Sequence, residues 1–438
     1  MGQNEAMRSP IPDYLTQVLD TCAPDSGELA GYIPELAAVD PDRFALSLVT
    51  AEGDAYSVGD HQDAFTIQSI SKPFVYGLAL ETLGFEAVLD HVGVEPSGEA
   101  FSEISLERNT GRPLNPMINA GALATHALVA STPPADSGVE RILKLLSSLA
   151  GRELDIDEKV ARSELDNGYR NLALANLLRS YDVFTGDPRA VVEGYVRQCA
   201  VRVTTADLGM MAATLASGGL QPHTGEQIFS RPVVRQVLSV MATCGMYDAA
   251  GDWLTTVGIP AKSGVSGGII GILPGQLGIA VFSPRLDPHG TSARGVEVCE
   301  RLSGDMNLHL MDAPMVAHAV LRRRREFGNG DTAVTLLVLQ GDLQFTNVET
   351  IVRDLIDEPI VTPRLVLDLA LVRSVFPAGS RVLLEMVRRL HLDGIEVMFI
   401  DPEEHFPDPE VGGGYRPAVL ESIGELPMDL QWRRGLPG

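Results

Sequence analysis

The sequence predicts an α+β domain followed by a small α/β domain. Strand-like runs stand at both ends of the first domain, and the stretch between them, about residues 73–220, is almost wholly helical. From Ala333 onward, strand and helix patterns alternate as βαβαβ. Alternation of that kind gives a parallel sheet covered by helices, whereas segregated strands and helices give an α+β architecture. The expected organisation is a disordered N-terminus over 1–12, a larger domain over 13–326, a linker at 327–331, a small domain over 332–425 and a tail over 426–438.

Residues 14–22 read as a short helix, and Gly31 to Leu36 as a turn into another. Residues 44–50 and 55–58 read as strands, with Glu52-Gly53-Asp54 between them as a hairpin signal. Residues 65–68 form a third short strand. Pro73 then favours a helix start close by, because proline lacks an N–H and suits the first turn. Helices follow at 119–130 and 137–150, the latter with Val139, Ile142, Leu145, Leu146 and Leu149 on one stripe before Gly151. Others span 162–180, Asp187-Pro188 to Cys199, 205–217, and from Ser230-Arg231-Pro232 to about 243. Strands return at 254–257 and across 267–282, which turns at Pro274-Gly275. Helices at 293–303 and 313–324 close the domain. The four arginines from Arg322 to Arg325, then Gly328-Asn329-Gly330-Asp331, read as a solvated helix end and a flexible linker. In the small domain, strands at 333–340, 364–369 and 395–400 alternate with helices at 347–356 and 379–390.

A length of 438 residues with 45% hydrophobic content supports large cores. A net charge of −24 argues against nucleic acid or an anionic membrane surface as the main partner. Cys22, Cys199, Cys244 and Cys299 are far apart and read as reduced structural thiols. The polar N-terminus lacks the apolar core of an export signal. The most apolar segment, 267–282, is interrupted by Pro274, Gly275 and Gln276 and is too short to span a bilayer. These features predict a soluble cytoplasmic protein. No motif calls for a metal, nucleotide or flavin cofactor.

Chemistry enters at Phe-Thr-Ile-Gln-Ser-Ile-Ser-Lys-Pro, residues 65–73, where Ser69 stands three positions before Lys72. That spacing puts a hydroxyl and an amine on one helix face. A desolvated lysine can act as base toward a serine nucleophile. At a helix N-terminus, free N–H groups favour developing negative charge. The spacing alone fits a helix-start serine beside a solvated lysine better. Lysine is scarce, however: Lys72, Lys144, Lys159 and Lys262 are the only ones. Lys262 opens Lys262-Ser263-Gly264-Val265, just before a strand and a glycine-rich turn.

Ser-x-x-Lys followed by Lys-Ser-Gly resembles the penicillin-recognising serine enzymes, with their Ser-x-x-Lys and Lys-Thr-Gly motifs. Together with Glu95-Pro96-Ser97-Gly98, the segment Asn115 to Ala122, and Cys244 to Trp253, these motifs resemble the serine-dependent glutaminase family over about residues 32–307. The resemblance implies a β-lactamase/DD-peptidase-like fold, an antiparallel sheet with flanking helices and a helical subdomain. It implies hydrolysis of L-glutamine to L-glutamate and ammonia through a glutamyl-serine acyl-enzyme, in a homo-oligomer. Ser69 would be the nucleophile and Lys72 its base. The backbone N–H groups of Ser69 and Val265 would form the oxyanion hole. Asn119, Glu164, Asn171, Tyr195, Tyr247 and Val265 match substrate-site positions, and Tyr32 matches a further tyrosine near the substrate.

The residue chemistry agrees. A free amino acid's ammonium needs a carboxylate, which Glu164 supplies, and its carboxylate needs donors such as Asn119, Asn171 or a tyrosine. Glu164 and Asn171 are seven residues apart, two turns of one helix face if Gly168 does not break it. Tyr247 or Tyr195 would relay a proton to the leaving ammonia, and Lys262 would set the electrostatics around Tyr247. Whether Lys72 or Tyr247 is the base in each step stays open. In isolation each residue has a plainer reading: Glu164 a solvated charge, Tyr195 a core residue, Asn119 a helix cap, Tyr247 a turn aromatic, Tyr32 packing beside Pro34.

In the small domain, Leu339 to Leu343 and Leu365 to Leu369 resemble the STAS family (sulfate-transporter and anti-sigma-factor-antagonist domains). Partner-switching members carry a phosphorylatable residue two positions after the aspartate, where this chain has Ala370. That departure speaks against a phospho-switch and leaves a docking, dimerising or regulatory role toward a protein partner, while an α/β appendage that only stabilises the assembly fits equally. A β-lactamase or transpeptidase shares the lysine motifs but would need export. A non-catalytic glutamine sensor would not need the intact Ser69/Lys72 pair.

Overall fold

The computed structural model describes residues 8–22, 27–31, 33–98, 103–132, 138–312 and 320–425. The chain divides into two compact units, one built mainly from residues 15–303 and the other mainly from residues 311 onward.

In the first unit, β1 (Ala45–Thr50) and β2 (Ala55–Gly59) form the expected hairpin. β3 (Phe65–Thr66) leaves that sheet and pairs with β4 (Arg202–Val203). β5 (Ala261–Ser263), β6 (Gly268–Leu273) and β7 (Leu277–Phe282) complete an antiparallel sheet of order β2-β1-β7-β6-β5. The chain thus leaves the sheet after β2 and returns at β5, with helices between. The Thr205–Ala216 helix lies against β1, β6 and β7. A reciprocal pair starts it: Asp207 N–H donates to Thr204 Oγ1 (3.1 Å), and Thr204 N–H donates to Asp207 Oδ2 (2.7 Å). This helix is apolar on nearly all sides, as a helix held inside a core must be.

Several local expectations change. The first helix spans Ile11–Thr21, so it begins inside the stretch read as disordered. Residues 254–257 are not a strand but the end of an Ala250–Thr256 helix. A short apolar run does not distinguish the two, and Trp253, buried with its Nε1–H on Ile259 O (2.8 Å), fixes the helical choice. The single helix read over 162–180 is two, Glu158–Asp166 and Tyr169–Ser180, broken at Asn167-Gly168.

In the second unit, β8 (Leu321–Phe327), β9 (Val334–Leu343), β10 (Arg364–Val375), β11 (Glu396–Ile400) and β12 (Ala418–Leu420) form one sheet of order β12-β11-β10-β9-β8. All neighbours are parallel except β8 and β9. The four arginines therefore lie on an edge strand, not a helix end, and Gly328 to Asp331 is the hairpin turn, not a linker. Residues 313–319 of the expected helix lie outside the described residues. Charge on an edge strand protects its unpaired backbone from pairing with another chain, which accounts for the run. The Phe345–Asp357 and Pro377–Leu392 helices pack on each other and against the sheet. Val334, Leu336, Val366, Met398 and Ile400 form a separate apolar cluster, the alternate residues of neighbouring strands.

Candidate active site

Ser69 sits in a single 3-10 turn, Gln68–Ile70, directly before the Ser71–Leu83 helix. Gln68 has φ +51°, a left-handed value uncommon outside glycine. Ser71 Oγ–H donates to the Gln68 carbonyl at 2.8 Å and helps to hold that conformation. The Gln68 amide donates to Thr66 Oγ1 (3.2 Å) and to Glu164 Oε1 (2.5 Å). Ser69 itself is 9% exposed, at the edge of this buried turn.

Lys72 is buried. Its Nζ donates to Asn119 Oδ1 (2.8 Å) and Met117 O (3.1 Å) and lies 3.3 Å from the Tyr247 hydroxyl. Burial lowers the amine to about 7. The Ser69 side chain hydrogen-bonds Tyr247, and Ser69 is not among Lys72's partners. The hydroxyl and amine expected to meet directly are thus joined through a tyrosine. Tyr247 has φ +55°, a second non-glycine residue held left-handed at the site. Burial pushes its phenol up. Lys262 Nζ stands 3.8 Å from the Tyr247 ring centroid and donates to Ser263 O at 2.8 Å. Burial, then the charge of Lys72, holds the Lys262 amine well below its ordinary value.

Asn119 is the first residue of the Asn119–Ala130 helix, but its side chain does not cap it. With Oδ1 turned to Lys72, its Nδ2 donates to Asn171 Oδ1 at 3.1 Å. Glu164 keeps some exposed surface, yet the protein packed around it raises its carboxyl to about 7. Glu164 and Asn171 lie on different helices because of the break at Gly168. The turn after β5 abuts the Ser69 turn. A Cβ on Gly264 would lie 3.1 Å from Ile67 O and 3.4 Å from Gln68 Cβ, which brings Val265 to the same place. Tyr195 is buried in an apolar cluster with Val191, Val192 and Cys199, as its stripe suggested, and hydrogen-bonds Cys199. Burial first, then the charges of Cys199, Tyr247 and Glu164, raises its phenol, so the core residue borders the site. Tyr32 lies outside the described residues.

Sequence reasoning missed Gln68 and the Met117 carbonyl. Position was the available signal: one precedes Ser69, and the other sits inside the polar Asn115 to Ala122 segment.

An antiparallel sheet flanked by helices, with a serine, a tyrosine and a depressed lysine in one row, defines a hydrolase equipped for acyl transfer. A family model described as Glutaminase matches residues 27–311. A glutaminase of Corynebacterium efficiens is 46% identical over 419 residues, covering 95% of this chain and 98% of that protein. A glutaminase of Corynebacterium glutamicum is 49% identical over 402 residues, covering 91% and 96%. A crystal structure of Mglu aligns with a TM-score of 0.67 and 48% identity, covering 91% of this chain and 100% of that one. The chain belongs to the glutaminase family, hydrolases that convert glutamine to glutamate and ammonia.

Proposed function

We propose that the chain hydrolyses L-glutamine through a glutamyl-serine acyl-enzyme with Ser69 as nucleophile. The observation that carries this reading is the row of contacts from Ser69 through Tyr247 to Lys72. A neutral Lys72 directs its two N–H bonds at the carbonyl oxygens of Met117 and Asn119, leaving its lone pair for the Tyr247 hydroxyl. Ser69 gives its proton to Tyr247 while Tyr247 gives its own to Lys72, and Ser69 Oγ bonds to the amide carbon. Tyr247 ionises with difficulty, so it passes a proton rather than storing a charge. The oxyanion, held by the N–H groups of Ser69 and Val265, collapses. Ammonia leaves with a proton returned from Lys72 through Tyr247. Water then cleaves the ester by the same path. Losing one oxyanion donor would cost roughly 3 kcal/mol of transition-state stabilisation.

Glu164 receives the substrate ammonium on the oxygen that Gln68 leaves unused. Asn171 Nδ2, free because Asn119 occupies its oxygen, donates to the substrate carboxylate. Tyr32 and Tyr195 border the substrate, and Lys262, 3.8 Å from the Tyr247 ring centroid, sets the electrostatics around that tyrosine. A relative supports the ligand class: Mglu has been crystallised in its glutamate form, at 44% identity and TM-score 0.67. We read residues 332–425 as a STAS-like docking or dimerising module and the enzyme as a cytoplasmic homo-oligomer. The mostly parallel sheet supports the former, and Ala370 beside a β10 irregularity keeps it from phospho-switching.

Ammonia release from L-glutamine by the purified chain, beside Ser69→Ala and a chromogenic β-lactam, tests the reading. Release by the parent alone, with the β-lactam intact, is expected. Release by Ser69→Ala would remove the nucleophile assignment, and β-lactam turnover would move the substrate class.

A further inference from the structure

Beneath the nucleophile turn runs a row of buried polar side chains that the reaction above does not use. Ser71 Oγ gives its one proton to the Gln68 carbonyl, so it accepts from Gln198 Nε2 at 3.0 Å. That contact fixes the Gln198 amide, and the atom facing His126 is its Oε1. His126 Nδ1, 2.9 Å away, must then carry the ring proton. Burial lowers the imidazole to about 4, so the ring is neutral at neutral pH, in this one tautomer. Exposure is 3% or less at Gln68, Ser71, His126 and Gln198.

The row is also braced mechanically. His126 stands on the Asn119–Ala130 helix and Gln198 on the Pro188–Cys199 helix, which also carry Asn119 and Tyr195. The far edge of the ring meets Gly194, where a Cβ would lie 2.3 Å from His126 Nε2. The imidazole is therefore held between two site-bearing helices, with its donor aimed along the row.

We propose that His126, through Gln198 and Ser71, is a positioning residue that holds Gln68 left-handed and thereby sets both Ser69 and Glu164. Gln68 is the pivot, because its main chain leads into Ser69 and its side chain grips Glu164. A left-handed non-glycine residue persists only where its surroundings over-determine it, and the Ser71–carbonyl bond is one such restraint. A small misplacement of the attacking group is enough to cost about a hundredfold in rate. The inference rests on Ser69 being the nucleophile.

The test compares His126→Leu, which removes the donor, with His126→Asn, whose amide places a donor where Nδ1 was. Gln198→Met and the double variant His126→Leu/Gln198→Met complete a cycle, with Ser69→Ala alongside. We expect kcat/KM for L-glutamine, per folded enzyme, to fall about 10- to 100-fold in His126→Leu. His126→Asn should recover to within about threefold of the parent, and the double variant should be no worse than the worse single, because residues in one series are not additive. Parent-like turnover in His126→Leu, equal impairment in His126→Asn, or multiplied losses in the double variant would each overturn the proposal. Should His126→Leu not fold, Ser71→Ala decides: the same fall supports the row, and unchanged turnover refutes it. Activity in Ser69→Ala would remove the nucleophile assignment itself, a result these other outcomes do not mimic.

Discussion

On the proposed mechanism Lys72 and Glu164 set the acid limb of the pH profile, and they act in the same direction. Lys72, lowered to about 7 by burial, must be neutral to accept a proton and is so only above that pH. Glu164, raised to about 7 by burial, must be ionised to hold an ammonium and is so only above it. The value of kcat/KM reports the free enzyme, so below pH 7 it should fall with a limiting slope of two, about 100-fold per pH unit. Bound substrate changes this. Its ammonium favours the ionised carboxylate, draws the Glu164 pKa down and leaves Lys72 to titrate alone. The fall in kcat should therefore approach a slope of one, about tenfold per pH unit. Glu164→Gln removes one titration, so its kcat/KM should also fall with slope one. At pH 8 the substitution should lower kcat/KM by about 2–5 kcal/mol, the usual cost of truncating one partner of a buried charge pair, or roughly 30- to 5,000-fold. Initial rates of ammonia release between pH 5 and 8 supply both slopes, provided each sample regains full activity on return to pH 8. A parent kcat/KM that falls with slope one, or a Glu164→Gln enzyme that keeps slope two, would refute the assignment of Glu164.

Three further outcomes follow from the same geometry. Tyr247→Phe should lower kcat by about 10²- to 10⁴-fold, the range for a lost proton-transfer group, with little change in KM; an unchanged kcat would mean that Ser69 reaches Lys72 without the tyrosine. Lys72 binds its proton more weakly in the folded chain, at about 7 against 10.5, so it lowers stability as pH falls through that interval, by roughly 5 kcal/mol at most. The Tm of Lys72→Met relative to the parent should thus be higher at pH 6 than at pH 10, and a pH-independent difference would contradict the burial account. Arg373→Ala leaves the buried Asp342 carboxylate without its 2.6 Å ion pair, and should lower the unfolding temperature of the second unit while kcat stays unchanged; equal unfolding temperatures would show that pair to be idle.

How far the sequence reached differs from residue to residue. The helix starts at Asp187-Pro188 and Thr205 were legible, because caps and proline act locally. Arg322 to Arg325 was misread because charge on a helix end and charge on an edge strand look alike without knowledge of the partner strand. The Leu254 run was misread because its length fits either period. For Glu164 and Asn171 the expectation of one shared helix face fails: the break at Gly168 puts them on separate helices, and what relates them is tertiary packing, which residue spacing does not show. Asn119 shows the same limit. Its type suggested a cap, whereas its side chain bridges Lys72 and Asn171.

The deepest gap concerns how serine and lysine communicate. Spacing of three residues promised direct contact, yet the helix begins two residues after Ser69, and Ser69 stays in a tighter turn whose entry residue is left-handed. Ser69 hydrogen-bonds Tyr247 and is not among the partners of Lys72, so the three-residue spacing alone does not decide which group the serine meets. Tyr247, itself held left-handed, bridges the separation. Two left-handed non-glycine residues, Gln68 and Tyr247, thus adjoin Ser69, one in the chain and one through its side chain. Strain of this kind is invisible to residue type, because neither glutamine nor tyrosine signals a positive φ. On the proposed mechanism it is also what turns a common tripeptide spacing into a specific proton path. A serine–lysine pair on an ideal helix would need no tyrosine, no buried Lys262 beside it and no polar row beneath it. The presence of all three around one turn argues that the strained turn, rather than the motif, is the functional unit of this site.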